Sequence, residues 1–275
     1  MMEIPETYTI SKQLKKEILN KQIKDVATNT SPHKFAFFYG DPLNYKKNIV
    51  GKKVTNIIER AFYIEIEVDD YTLLFRDGTN IRYYSDRNKI PTKHQLLIEF
   101  TDETFLVVTI AMYGFISCFK SDEYSDKYYE KEKNGVSPLS QSFDIVYFNT
   151  LLNESTKKLS AKAFLATEQR ILGVGNGVLQ DILFNAKINP KQKMNRLNDS
   201  ECEKLFDSIK ITLLEMANKG GRDTESNLYG EIGGYVTKMS KKTANAPCLD
   251  CNSIIKKESY MGGSIYYCPN CQKEK

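Results

Sequence analysis

No run of apolar residues in this chain approaches the roughly 20 needed to span a membrane, which excludes a helical integral membrane protein. The beginning of the sequence, with Glu3 and Glu6, lacks the basic start and apolar core of a secretory signal, so a cytoplasmic protein is expected. Charge is nearly balanced, at +4 with an isoelectric point near 8.5. That balance permits a nucleic-acid partner without arguing for one, because clustering of Lys and Arg on one face carries the signal. Histidine is scarce, with only two residues, His33 and His94. Cysteine is scarce as well: of six, Cys118 and Cys202 stand alone and read as small core residues of a reducing compartment.

The other four cysteines form Cys248-Leu-Asp-Cys251 and Cys268-Pro-Asn-Cys271. In each C-x-x-C the two thiolates can reach one tetrahedral ion, and two such knuckles on a hairpin complete a closed zinc site. Four sulfur ligands leave no position for water, so the zinc is expected to be structural. A redox dithiol pair is the alternative, but this tail is too short to bury a core of its own, and metal binding would supply its folding energy.

At 275 residues the chain has room for two domains. From Pro5 to about Asn20, Ile10, Leu14 and Ile18 keep a period of four behind a proline, which predicts an N-terminal helix. Short β-rich runs follow, among them FYIEIEV, YTLLFRDG, HQLLIEF and ETFLVVTI, and predict an antiparallel sandwich. Between Lys120 and Pro138 the sequence is charged, tyrosine-rich and without period, and reads as a linker. Four helical stretches come next; the last opens with the capping pair Asn198 and Glu201 and ends at Gly220-Gly221. The fold class expected is α+β and multidomain: residues 1–135 as the helix and β-sandwich, 136–240 as a helical domain, and 241–275 as the zinc hairpin.

One of those helices begins inside LGVGNGVLQDIL, residues 172–183. Gly173, Gly175 and Gly177 free the backbone for close approach, and a helix start offers unpaired N–H groups to an anion. A dinucleotide fingerprint would need a preceding strand and G-x-G-x-x-G; here the spacing is G-x-G-x-G between helices. A grip on a nucleic-acid backbone fits better.

The start MEIPE (2–6), the AKAFL…GVGN run with AKINP after it, Gly220-Gly221 and the terminal YYCPNCQK together resemble the formamidopyrimidine-DNA glycosylase and endonuclease VIII family. The resemblance implies a β-sandwich and a helix-two-turns-helix module with a zinc hairpin, acting as a monomer on double-stranded DNA that carries a damaged base or an abasic site. It also implies a nucleoid-associated DNA glycosylase and AP lyase: an N-terminal proline amine attacks the sugar of an extruded nucleotide, the next glutamate handles protons, and elimination from the imine cuts the strand. Residue by residue, Met2 and Glu3 stand at the catalytic positions, Asn176 with Gly175 and Lys162 at DNA-binding ones, and Cys248, Cys251, Cys268 and Cys271 at the zinc ligands.

Several positions depart from the family. Met2 replaces the proline, Phe62 stands where a phosphate-binding lysine is usual, and Gly263 takes the place of the hairpin arginine. The loop that inserts a methionine into the duplex corresponds to the region of Asp77, with Met112 and Tyr113 as alternative fillers of the gap left by an extruded base. A damage-binding clamp that has lost its lyase chemistry is therefore the second reading, and an RNA- or ribosome-associated zinc protein a third, which would leave MEIPE and GVGN without a reason. The stretch NTSPHKFAFFYGDP, residues 29–42, matches no family motif. His33, with Lys34 and Asp41 nearby, is either an acid–base or phosphate-contact candidate or part of a loop that packs its aromatic run into the sandwich; His94 reads as a sheet-edge residue.

Overall fold

The computed structural model of the chain describes residues 2–76, 78–121 and 123–275, so the loop expectation centred on Asp77 and any reading of Met1 lie outside the described residues. Two compact units divide the chain: the first holds residues 6–133 and 225–233 with Met2, the second residues 3–5, 134–224 and 234–275.

Helix α1 (Ile4–Ile18) carries Pro5 in its first turn, where a missing N–H breaks no helical bond. Its Ile10, Leu14 and Ile18 are buried in the core of the first unit. A four-stranded antiparallel sheet has the order β1-β7-β8-β6, where β1 is Ile23–Thr28, β6 Thr79–Tyr84, β7 Leu96–Phe100 and β8 Phe105–Ile110. A five-stranded sheet has the order β2-β9-β5-β4-β3, where β2 is Ala36–Tyr39, β3 Val54–Arg60, β4 Tyr63–Val68, β5 Tyr71–Arg76 and β9 Gly114–Lys120. Ile98, Phe100, Leu106 and Val108 from the first sheet and Ile64, Ile66, Leu73 and Phe75 from the second share one core, closed by the apolar stripe of α1 and by Tyr45 and Ile49 of α2 (Asn44–Ile49).

The expected antiparallel sandwich is present, with one parallel pair in it: β2, inside the stretch 29–42, runs parallel to β9, Ala36 opposite Gly114. The expected linker also contains helix α3 (Lys127–Asn134), whose buried positions are Tyr129 and Glu132. Helical spacing is present there, but one of its two inward positions is a carboxyl, which hides the period. Tyr129 joins Tyr63, Leu74 and Phe119, with Phe62 and Tyr124 packed alongside.

In the second unit, α4 (Ile145–Thr150), α5 (Ala161–Ala166), α6 (Val178–Asn185) and α7 (Asp199–Asn218) enclose a core of Phe148, Phe164, Leu179, Ile182, Leu183, Leu205, Ile209 and Leu213. Short helices of this kind need help at their starts. Asp144 caps α4, Ser160 caps α5, and Asn198 with Glu201 forms a complete capping box on α7. The left-handed Gly220 and Gly221 end α7, with the Gly221 N–H donating to Met216 O at 2.9 Å. The hairpin follows as β10 (Lys256–Tyr260) and β11 (Gly263–Tyr267). Among the described residues no helix is long and apolar enough to cross a membrane.

Glu132 generates a test of the first unit. Its carboxylate accepts from the Phe62 N–H at 2.9 Å, and burial pushes its pKa from the ordinary 4.5 up to about 9, with the Phe62 N–H opposing the shift. Because the folded value is the higher one, its contribution to stability is complete below about pH 4.5 and is lost as pH rises toward 9. Glu132→Gln keeps an acceptor without a charge. We expect its melting temperature to equal the parent's in acid and to exceed it increasingly from about pH 5 to about pH 9; parallel curves would contradict the assignment.

Candidate nucleic-acid interface and metal centre

The glycine-rich start of α6 is already occupied by an anion, and that anion belongs to the chain. The Gly177 and Val178 N–H groups donate to the two carboxylate oxygens of Glu3 at 2.8 and 2.7 Å. Arg222 brings Nη1 within 3.5 Å of the same carboxylate, and both side chains are buried, at 1% and 3% exposure. The glycines make room for this pair. A Cβ on Gly175 would lie 2.5 Å from Glu3 Oε1, and one on Gly177 would lie 1.6 Å from Arg222 Nη1. The expectation that these amides await a phosphate is therefore corrected: the first free N–H groups of a helix favour any carboxylate that reaches them, and Glu3 does. Sequence reasoning missed Arg222. Its signal was indirect, in that two glycines at alternate positions ask what fills the space they leave.

The other face of the turn is open. On α5, Lys162 is buried, donates from Nζ to Tyr260 O at 2.5 Å, and has its pKa lowered by that burial. Asn176 donates from Nδ2 to Ser264 O at 3.0 Å, while its Oδ1 is buried with no hydrogen-bond partner. Both line a cavity of about 190 Å³ with Ala163, Thr167, Met261 and Gly263. A Cβ on Gly263 would meet Lys162 Nζ at 3.3 Å and Asn176 Oδ1 at 3.4 Å, so the side chain missing at 263 is what leaves this ground clear. Gln180 Nε2 also donates to Ser264 O, at 3.2 Å, so Asn176 can turn its amide into the cavity without orphaning that carbonyl.

The remaining candidates fall elsewhere. Met2 is buried in the apolar core of the first unit, and Phe62 belongs to its aromatic cluster. Met112 and Tyr113 are exposed. His33 Nδ1 accepts from the Phe35 N–H at 3.3 Å and Asp41 Oδ1 from the Leu43 N–H at 2.9 Å, so each braces its own turn. His94 lies before β7 with Nδ1 2.9 Å from Pro91 O.

The four paired cysteines bring their sulfurs within 4.8 Å of one another, with Cys248 to Cys271 at 3.9 Å and Cys251 to Cys268 at 3.4 Å. A tetrahedral zinc with bonds of about 2.3 Å would separate its sulfurs by roughly 3.8 Å, so the cluster fits that ion, and four thiolates close the site to water. Asn252, at φ +59°, turns the first knuckle. Buried Gln272 ties the second one down: it accepts from the Cys268 N–H at 2.9 Å and donates to Ile188 O at 2.8 Å, just past α6.

A helix-led β-sandwich unit followed by a short-helix unit with a four-cysteine hairpin defines the helix-two-turns-helix class of DNA glycosylase folds. Residues 1–140 match the formamidopyrimidine-DNA glycosylase N-terminal domain, and residues 135–227 match the formamidopyrimidine-DNA glycosylase H2TH domain. The chain belongs to the formamidopyrimidine-DNA glycosylase family. It is 28% identical to the formamidopyrimidine-DNA glycosylase of Lactococcus lactis subsp. lactis, with all of both chains covered, and 29% identical to that of Wolbachia pipientis, over 99% of this chain and all of the other. Among solved structures it is similar to the Lactococcus lactis protein in complex with abasic-site DNA (TM-score 0.83) and with N7-benzyl-Fapy-dG DNA (TM-score 0.84), each 23% identical and covering 99% of this chain and all of the other.

Two outcomes follow from this geometry. Gly177→Ala must displace a buried guanidinium, and we expect a loss of about 3 kcal/mol in denaturant unfolding; a loss within experimental error would remove Arg222 from this position. Stripping the metal with a chelator should leave the hairpin unfolded and open to protease between Cys248 and Cys271, with one zinc released per chain as read by a colorimetric indicator.

Proposed function

We propose that this chain is a base-excision DNA glycosylase with AP lyase activity, acting on duplex DNA that carries a damaged base or an abasic site. The observation that carries this reading is the convergence of Lys162 and Asn176 on one open cavity of the second unit, with Glu3 fixed on the neighbouring turn. In this reading an amine in register with Met2 attacks C1′ of the extruded nucleotide and the base leaves with a proton. Loss of a C2′ proton from the resulting imine then expels the 3′ phosphate, and water releases the sugar. Glu3 handles the protons, and its two backbone donors keep the carboxylate in one orientation. Asn176 and Lys162 meet the DNA backbone, which fixes register without reading sequence. Work of this kind belongs on the nucleoid.

A damage-binding clamp without the lyase step is the second reading, favoured by Met2 in an apolar core, Phe62 in an aromatic cluster and Gly263 beside Lys162. Borohydride trapping on an abasic duplex, with peptide mapping of the product, separates the two. A covalent adduct at the first residue supports the lyase; tight binding to the same duplex with no adduct leaves the clamp. Asn176→Ala should weaken binding to every duplex sequence alike, by about fivefold, and leave the salt slope unchanged, because the amide carries no charge. Unchanged affinity would end its role as a backbone contact.

A further inference from the structure

The stretch 29–42 has no part in the reaction just described, and its geometry points elsewhere. Strand alternation turns Ala36 and Phe38 toward the core of the first unit and sends Phe35, Phe37 and Tyr39 to the opposite face, where they are 47%, 43% and 46% exposed. One part of this outer face is covered: Tyr63, Leu74 and Phe119 pack beneath Tyr124 and Tyr129, and Tyr39 sets its edge against Tyr124, ring centroids 4.7 Å apart. The part next to it is more open among the described residues, with Phe35 and Phe37 exposed and Phe115 half-buried. There Phe37 stacks on Phe115 with centroids 4.8 Å apart and planes at 21°, Arg76 lies 4.8 Å from the Phe115 centroid, and Lys34 lies 5.3 Å from that of Phe35. These rings adjoin Gly114, whose N–H donates to Phe35 O, directly after the exposed Met112 and Tyr113.

We propose that Phe35, Phe37 and Phe115, with Lys34 and Arg76, form a stacking platform for an unpaired single-stranded segment of nucleic acid. Exposed aromatic faces on a soluble protein call for a partner, and rings interleaved with cations match a polyanion whose bases offer π-faces. Stacking of this kind needs a base with a free face. Paired bases inside an intact duplex have none, so the platform selects unpaired strand and tolerates any sequence. The proposal goes beyond the lesion chemistry and needs no lesion, so a failed trapping experiment would leave it readable.

The test is fluorescence anisotropy of the full zinc-loaded chain with a labelled single-stranded oligothymidine and with an intact blunt duplex. Phe37→Ala and Phe35→Ala should each weaken single-strand binding about tenfold and leave duplex binding within about twofold, whereas Phe37→Tyr should bind like the parent. Lys34→Gln should lower the salt slope on the single strand by about 0.7. Both phenylalanines are already exposed, and matching melting curves would exclude a folding defect. Single-strand affinity unchanged by either alanine, or an equal loss on the intact duplex, would overturn the proposal; the first result would leave the face to a protein partner, the second to the duplex grip.

Discussion

The carboxylate of Glu3 on the first two free amides of α6 is the contact on which the second unit depends. A helix of eight residues is too short to be stable by itself, and its start leaves donors that burial would make costly. Glu3 satisfies two of them, and Arg222 then offsets the charge that Glu3 brings into the interior. Removing Arg222 would take the guanidinium away from a carboxylate that its two amides still hold in the interior. The glycines at 175 and 177 follow from this arrangement, because each stands where a side chain would collide with the pair. A motif that looks like an anion site is one, and its anion is a residue of the same chain.

From α6 the order passes outward. Gln180 donates to the carbonyls of Asn176 and Ser264 and accepts from the Tyr266 N–H, so the turn and the β11 strand share one side chain. Asp181 accepts from the N–H groups of Lys238 and Met239, which carries the chain toward the first knuckle. Gln272 and Asn189 fasten the second knuckle to the segment after α6. Each of these is a buried polar group with its partners supplied, the condition under which such networks hold a single arrangement. The hairpin strands themselves bury little apolar surface, so the metal and these polar ties must do what a core does elsewhere.

How much of this was legible in the sequence differs by element. The helix of Ile10, Leu14 and Ile18, the capping box at Asn198, the Gly220-Gly221 stop and the four cysteines each follow from a local rule, and each is present. The helix at 127–134 was hidden because Glu132 sits at an inward position that hydropathy counts as polar. The β2 strand was hidden because its parallel pairing with β9 is not announced by any hairpin turn. At the site, Lys162 and Asn176 were readable as residues, but the service of Gly175 and Gly177 to a carboxylate 172 residues from the nearer one's neighbourhood in sequence order was not, since nothing local in the sequence signals a long-range contact between Glu3 and this turn.

The departures from the family pattern share a physical direction. Phe62, where the resemblance would have a lysine, packs against the cluster of Tyr63, Leu74, Phe119 and Tyr129, and Gly263, where it would have an arginine, leaves space in front of the desolvated Lys162. Neither residue offers the positive charge that the resemblance would set against a phosphate. What stands in its place is apolar and aromatic surface on the first unit and a small polar cavity, with one partnerless acceptor, on the second. On the function and the platform proposed above, binding would draw less on counterion release at these positions, so affinity should vary less with salt than it would with paired cations there. The modest net charge of +4 is consistent with the proposed platform, in which rings rather than a strongly positive face would meet unstacked bases.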